Sequence, residues 1–153
     1  IINYVVKSLK DQLGLKDAPV AFFSSFFFTK LYREGHKDRE LDGTYSYEEV
    51  ARWTRKTFRT RSVDKTKTII FFRNMTADHW ISFAIFMDRK IIQAFDSIGA
   101  NRVSDLKNMY RWLHETMKIE GKQLNPKEWC LYGTRRETPM QRYNDCGLYT
   151  FLF

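Results

Sequence analysis

From His79 to Met87 the chain reads HWISFAIFM, and from Lys90 to Asp96 it reads KIIQAFD, two apolar and aromatic runs parted only by Asp88 and Arg89. Runs separated in this way mark a β-hairpin, and its turn fixes which residues face one another. Asp-Arg is a poorer turn pair than Asp-Gly, so a longer loop or a small bulge is compatible with the same strands. A two-residue turn at Asp88 and Arg89 puts Met87 opposite Lys90 and Ile81 opposite Asp96. His79 then lies two residues along from the partner of Asp96, and the strand period brings both side chains to one face. Diagonal neighbours of this kind sit roughly 7 to 8 Å apart, so an imidazole and a carboxylate can reach each other. A slip of one residue would send them to opposite faces.

The end of the chain supplies a thiol. Gln141-Arg142-Tyr143-Asn144-Asp145-Cys146-Gly147-Leu148 leads into an apolar run up to Phe153 that reads as the opening of a buried helix. A cysteine at a helix start meets the positive end of the macrodipole, which favours thiolate, and a neighbouring imidazolium favours it further. Asp145 opposes this electrostatically and reads instead as an N-cap fixing the turn. Gly147 permits close backbone approach, and N–H groups at this turn join Gln141 as candidate oxyanion donors. Thiol, imidazole, orienting carboxylate and amide are the parts of a cysteine hydrolase. Ser97 has no second His-acid pair to serve it and reads as a turn residue. Cys130, between Trp129 and Leu131, reads as core. His36 reads as a loop residue and His114 as the flank of a helix.

The order His79-Trp80, Asp96-Ser97, Gln141, Asp145-Cys146-Gly147 resembles the ubiquitin-like-protein-specific proteases, the SUMO-processing cysteine peptidases. Ser25 to Leu31 (SFFFTKL) is similar to that family's aromatic segment behind the active site, and Val50 to Lys56 (VARWTRK) to its amphipathic helix. Ile1 to Tyr4 is similar to the tail of its opening motif. The resemblance implies a papain-like cysteine peptidase domain with a central, mostly antiparallel sheet flanked by helices. It implies Cys146 as nucleophile, His79 as general base and acid, Asp96 as the residue orienting it, and Gln141 as oxyanion donor. Trp80 would cover a narrow tunnel for the modifier's Gly-Gly tail, and Ser24, Ser25, Phe26, Asp145 and Gly147 would border the substrate path. Three departures stand out. Gln141 lies five residues before Cys146, one fewer than usual; Ser24 stands where asparagine is common; and the opening tryptophan, leucine and aspartate, with most of the helix after Cys146, are missing. The expected organisation is therefore one peptidase domain over residues 1–153, incomplete at both ends.

Composition narrows the setting. No apolar stretch approaches the roughly 20 residues that span a bilayer, and Ile1 to Lys7 is no secretory signal. The two cysteines lack the spacing of a disulfide framework or a zinc site, so no metal or other cofactor is expected, and a reducing intracellular compartment, the nucleus before the cytoplasm, is the expected home. Lys and Arg number 26 against 18 Asp and Glu, with a cluster at Arg52, Arg55, Lys56, Arg59, Arg61, Lys65 and Lys67 and a second group at Arg135, Arg136 and Arg142. Such clusters attract an acidic partner, SUMO's acidic surface or nucleic acid, yet most are solvated faces, and that reading carries more weight here. The expected partner is SUMO or a related modifier with its conjugates, not nucleic acid, and the expected state is a monomer.

The remaining pattern gives an α+β class. Ser46-Tyr47-Glu48-Glu49 is a capping box, and Val50, Trp53, Thr57 and Phe58 follow at helical spacing, so a helix runs from Tyr47 to Phe58. Thr68 to Arg73 (TIIFFR) reads as a short buried strand. Ser104 can cap a second helix striped by Leu106, Met109, Tyr110, Leu113 and Met117, ending at Gly121. Residues 122–130 read as irregular and Trp129 to Tyr132 as strand-like; residues 33–44 read as an exposed loop. Two other functions stay open: an acetyltransferase using the same three residues, and an inert modifier-binding or nucleic-acid-binding module.

Overall fold

A computed structural model of the chain describes residues 2–12, 19–33, 44–75, 79–134 and 146–149. Its central feature is the hairpin. In chain order the elements are α1 (Ile2–Gln12), β1 (Val20–Phe22), α2 (Phe26–Leu31), α3 (Glu48–Thr57), β2 (Thr68–Met75), β3 (His79–Phe86), β4 (Ile91–Phe95), α4 (Val103–Ile119), β5 (Cys130–Tyr132) and α5 (Cys146–Tyr149). β3 and β4 pair antiparallel with Phe86 opposite Ile91 and Ser82 opposite Phe95, the register that places Ile81 level with Asp96. The turn is longer than two residues, running from Met87 to Lys90, whose N–H meets the Met87 carbonyl at 3.4 Å. A type I′ hairpin turn requires positive φ at both central residues, which Arg, unlike Gly, adopts poorly at the second. Lys90 takes the positive φ instead, at 52°, and Asp88 Oδ1 accepts the Arg89 N–H at 3.0 Å.

The sheet has the order β1-β2-β3-β4-β5, with β3 antiparallel to both β2 and β4 and the two edge strands parallel to their neighbours. Alternation divides its faces. Ile69, Phe71, Ile81, Phe83, Ile85, Ile92 and Ala94 join the main core with α2, α3 and the stripe of α4 formed by Leu106, Met109, Trp112, Leu113 and Met117. Phe71 stacks on Phe23 at 4.9 Å, and Trp112 meets Phe23 edge-on. The other face carries Phe22, Ile70, Phe72 and Trp80, packed with Val6 of α1. His79 and Asp96 continue the alternation of the main-core face, whereas Trp80 belongs to the opposite one.

Some expectations shift. α4 begins at Val103, one residue before Ser104, because Asn101 Oδ1 takes the Val103 N–H at 3.0 Å and Arg102 occupies the cap position. Its other end is as anticipated: Gly121, at φ +73°, gives its N–H to Lys118 O while the Lys122 N–H reaches Met117 O, the double bond of a Schellman cap. At α3, Tyr47 and Phe58 are caps of a helix from Glu48 to Thr57, and Ser46 donates to Glu48 Oε2. Cys130 is exposed, not core, because it opens a three-residue edge strand hydrogen-bonded along one side only among the described residues. Trp129 precedes that strand. α1 and β1 were not anticipated, and residues 34–43 of the expected loop lie outside the described residues.

Candidate active site

Three strand and helix ends converge. His79 opens β3, Asp96 directly follows β4, and Cys146 opens α5, which lies against β3. His79 Nε2 and Asp96 Oδ1 are 2.7 Å apart. With an ionised carboxylate as partner, that ring nitrogen carries the hydrogen, so the neutral imidazole holds its lone pair on Nδ1. Cys146 is 5% exposed, and its Sγ accepts the backbone N–H of Trp80 at 3.3 Å. A backbone N–H aimed at sulfur is a partner that a thiolate accepts more strongly than a thiol does. The residue next to the imidazole therefore holds the thiol.

Asp96 is fully buried, and a carboxylate so placed without partners would cost on the order of several kcal/mol. It is well supplied. Oδ1 also accepts the Ile98 N–H at 3.1 Å, in an Asx-turn continued by Gly99, whose N–H reaches Asp96 O at 2.9 Å. Oδ2 receives Arg102 Nε at 2.7 Å and Nη2 at 2.6 Å. The Asp96 N–H goes to Thr134 Oγ1 at 2.9 Å. Neither Arg102 nor Thr134 was identified from sequence. A cation a few residues beyond an orienting acid was the available signal for Arg102, whereas nothing local marks Thr134, which lies 38 residues away.

Trp80 is half-buried among Val6, Phe22, Ile70 and Phe72, and a β-carbon built at Gly147 would lie 3.7 Å from its Cδ1. Its ring therefore lies beside the helix carrying Cys146. At the start of α2, Asn3 of α1 holds Ser25 through two bonds, Ser25 N–H to Oδ1 at 2.9 Å and Nδ2 to Ser25 Oγ at 3.0 Å. Ser24 Oγ accepts the Phe26 N–H, and Phe26 is 60% exposed. The structure thus brings together His79, Asp96, Trp80, Cys146 and Gly147, and sets Ser24, Ser25 and Phe26 on the α2 start. Gln141 and Asp145 lie outside the described residues, as do Arg135, Arg136 and Arg142. Ser97 is buried in the turn after β4, and His114 is exposed on α4. Arg52, Arg55, Lys56, Arg59, Lys65 and Lys67 are exposed and Arg61 half-buried, on α3 and the segment after it. Among the described residues no cluster of His, Cys, Asp or Glu could hold a metal ion, and no helix is long and apolar enough to cross a membrane.

The chain has known relatives. The chain matches the Ulp1 protease family, C-terminal catalytic domain, over residues 1–153 and belongs to that family. Among solved structures it is similar to the SUMO protease Ulp1 with its catalytic cysteine oxidised to a sulfenic acid, at 26% identity and a TM-score of 0.68, over 88% of this chain and 56% of that one. The C-terminal Ulp1 protease domain in complex with Smt3, the yeast ortholog of SUMO, matches at 26% identity and a TM-score of 0.66, over 86% of this chain and 53% of that one. The catalytic domain of the Chaetomium thermophilum Ulp1-like SUMO protease shares the fold, at 19% identity and a TM-score of 0.69, over 97% of this chain and 55% of that one. The chain thus spans little more than half the length of these structures. No curated protein matches it in sequence.

Proposed function

We propose that this chain is the catalytic part of a cysteine protease that cleaves after the Gly-Gly terminus of a SUMO-like modifier, in deconjugation, precursor processing or both. The observation that carries the reading is the hydrogen bond from His79 Nε2 to Asp96 Oδ1, in a chain whose adjacent residue, Trp80, holds Cys146 Sγ. Membership of the Ulp1 family supplies the substrate class. In this reading the Cys146 thiolate attacks the carbonyl of the modifier's last glycine, forming a C–S bond. His79, having taken the thiol proton on Nδ1, returns it to the departing lysine amine as the C–N bond breaks. Water, deprotonated by the same imidazole, then hydrolyses the thioester, releasing the modifier's carboxylate and restoring the thiol. Asp96 holds the tautomer and supports the imidazolium. Gln141 and the N–H groups of the Cys146 turn stabilise the oxyanion.

Trp80 narrows the passage so that only glycines enter, and specificity comes from side chains excluded as well as contacts made. Ser24, Ser25 and Phe26 border the modifier's path. The setting that goes with this reading is an intracellular monomer, in the nucleus before the cytoplasm. Hydrolysis of a SUMO C-terminal fluorogenic amide, run beside the ubiquitin equivalent and an assay of acetyl-CoA consumption, tests it. Turnover of the SUMO substrate that Cys146→Ser removes is expected. Acetyl transfer without hydrolysis, or turnover indifferent to Cys146→Ser, would overturn it.

A further inference from the structure

The carboxylate that holds His79 is itself held from behind. Both Arg102 contacts, Nε at 2.7 Å and Nη2 at 2.6 Å, fall on Oδ2, and His79 and the Ile98 N–H both fall on Oδ1. A carboxylate offers about four acceptor sites, and these donors fill them. We propose that Arg102 is a positioning residue for the His79–Asp96 pair: its rigid, planar fork fixes the carboxylate plane so that Oδ1, in one orientation, faces the imidazole. The inference rests on the reading of Cys146 and His79 as the reacting pair.

Geometry separates this role from two plainer ones. Arg102 is not needed to dock α4, because the first turn of that helix has its own tether: Asp105 pairs with Arg73 of β2 and accepts the Tyr32 hydroxyl at 2.9 Å, while Leu106 and Met109 are buried in the core. Nor is its charge the whole of its contribution, since a lysine brings the charge on one nitrogen and lacks the fork that locks a plane. Losing the fork frees the carboxylate to turn, which loosens the hold on Nε2–H and lets the neutral imidazole populate its other tautomer.

Arg102→Met and Arg102→Lys test the inference through nitrogen NMR of the His79 ring, through iodoacetamide labelling of both cysteines and through kcat and KM on the SUMO amide. The wild type should show the Nε2–H tautomer. In Arg102→Met the signal should move toward a mixture, Cys146 labelling and kcat should each fall about tenfold, as when other outer partners of a site are lost, and KM should hold within about twofold. The Cys130 labelling rate and the urea unfolding midpoint should stay near their wild-type values, the midpoint showing that the fold is intact. Arg102→Lys should recover part of each loss. An unchanged tautomer and unchanged Cys146 labelling in Arg102→Met would overturn the role, as would full recovery by lysine. A rise in labelling at both cysteines together would also overturn it, because Arg102 would then be holding the fold. Labelling and tautomer need no substrate. A response there without wild-type hydrolysis sinks the protease reading alone, and hydrolysis with no response sinks the Arg102 role alone.

Discussion

At the scale of single residues, access and activation oppose each other in the two thiols. Cys130 is exposed on an edge strand, whereas Cys146 is 5% exposed and carries an N–H donor on its sulfur. Access alone would have iodoacetamide label Cys130 first. The Trp80 N–H on its sulfur is a donor that rewards attack by Cys146 over an unaided thiol, so on the proposed function Cys146 should label first; peptide mass spectrometry over a labelling time course decides, and precedence of Cys130 would count against an activated nucleophile. Asp96→Asn should keep the fold and lower kcat on the SUMO amide by roughly 100-fold or more, because an amide can offer His79 the wrong group and cannot support an imidazolium. A loss under about threefold would mean that the carboxylate only fills space. The His79–Asp96 pair was legible in sequence because a period of two residues and a turn position fix faces without any tertiary information. Arg102 was not, since its link to Asp96 depends on an Asx-turn and a helix start whose joint geometry no pattern encodes.

Elements repeat that division. The hairpin register survives a turn of another type because Lys90 in the left-handed region absorbs the mismatch while Phe86 stays opposite Ile91. α4 was legible from its stripe and its closing glycine, and β5 from the strand-like run Trp129 to Tyr132; β1 was not, as three residues show no alternation and its pairing is parallel to a strand distant in sequence. At α1 only the opening stretch, Ile1 to Tyr4, was read, and that as a motif. Two glycines make a test of cap geometry. A β-carbon would meet nothing within 4 Å at either Gly121 or Gly133, but Gly121 alone sits at φ +73°. Gly121→Ala should therefore cost about 1 kcal/mol through backbone strain, and Gly133→Ala should fall within about 0.5 kcal/mol of wild type. Urea unfolding of the two variants measures this; equal costs would contradict the Schellman cap as the reason for the glycine.

For the whole molecule, the face opposite α1 is knitted by aromatic and polar contacts that have a pH signature. Tyr32, at the end of α2, donates to Asp105 of α4 and accepts from Asn108 Nδ2, so it ties two helices over the sheet that presents His79. Burial, and then the Asp105 charge, push its phenol well above the usual value of 10.0. Burial foremost also raises Tyr45 and Tyr47. The sign follows from proton counts. Below pH 10 the phenols are protonated in both states, and their contribution to stability is complete. Above it the unfolded chain loses protons that the folded chain keeps, so stability falls as pH rises, by about 1.4 kcal/mol per pH unit for each such tyrosine until its folded form also ionises. Tyr32→Phe should lower stability at pH 7 by about 1 to 3 kcal/mol, the usual range for a hydrogen bond to a charged group with its partner left buried. The same variant should lose stability less steeply than wild type between pH 10 and 12. Urea midpoints at pH 7, 10, 11 and 12 give both quantities from one pair of proteins. Parallel slopes would mean that Tyr32 ionises as readily in the folded molecule as in the unfolded chain, and that the Asp105 contact tying α2 to α4 is not sustained in solution.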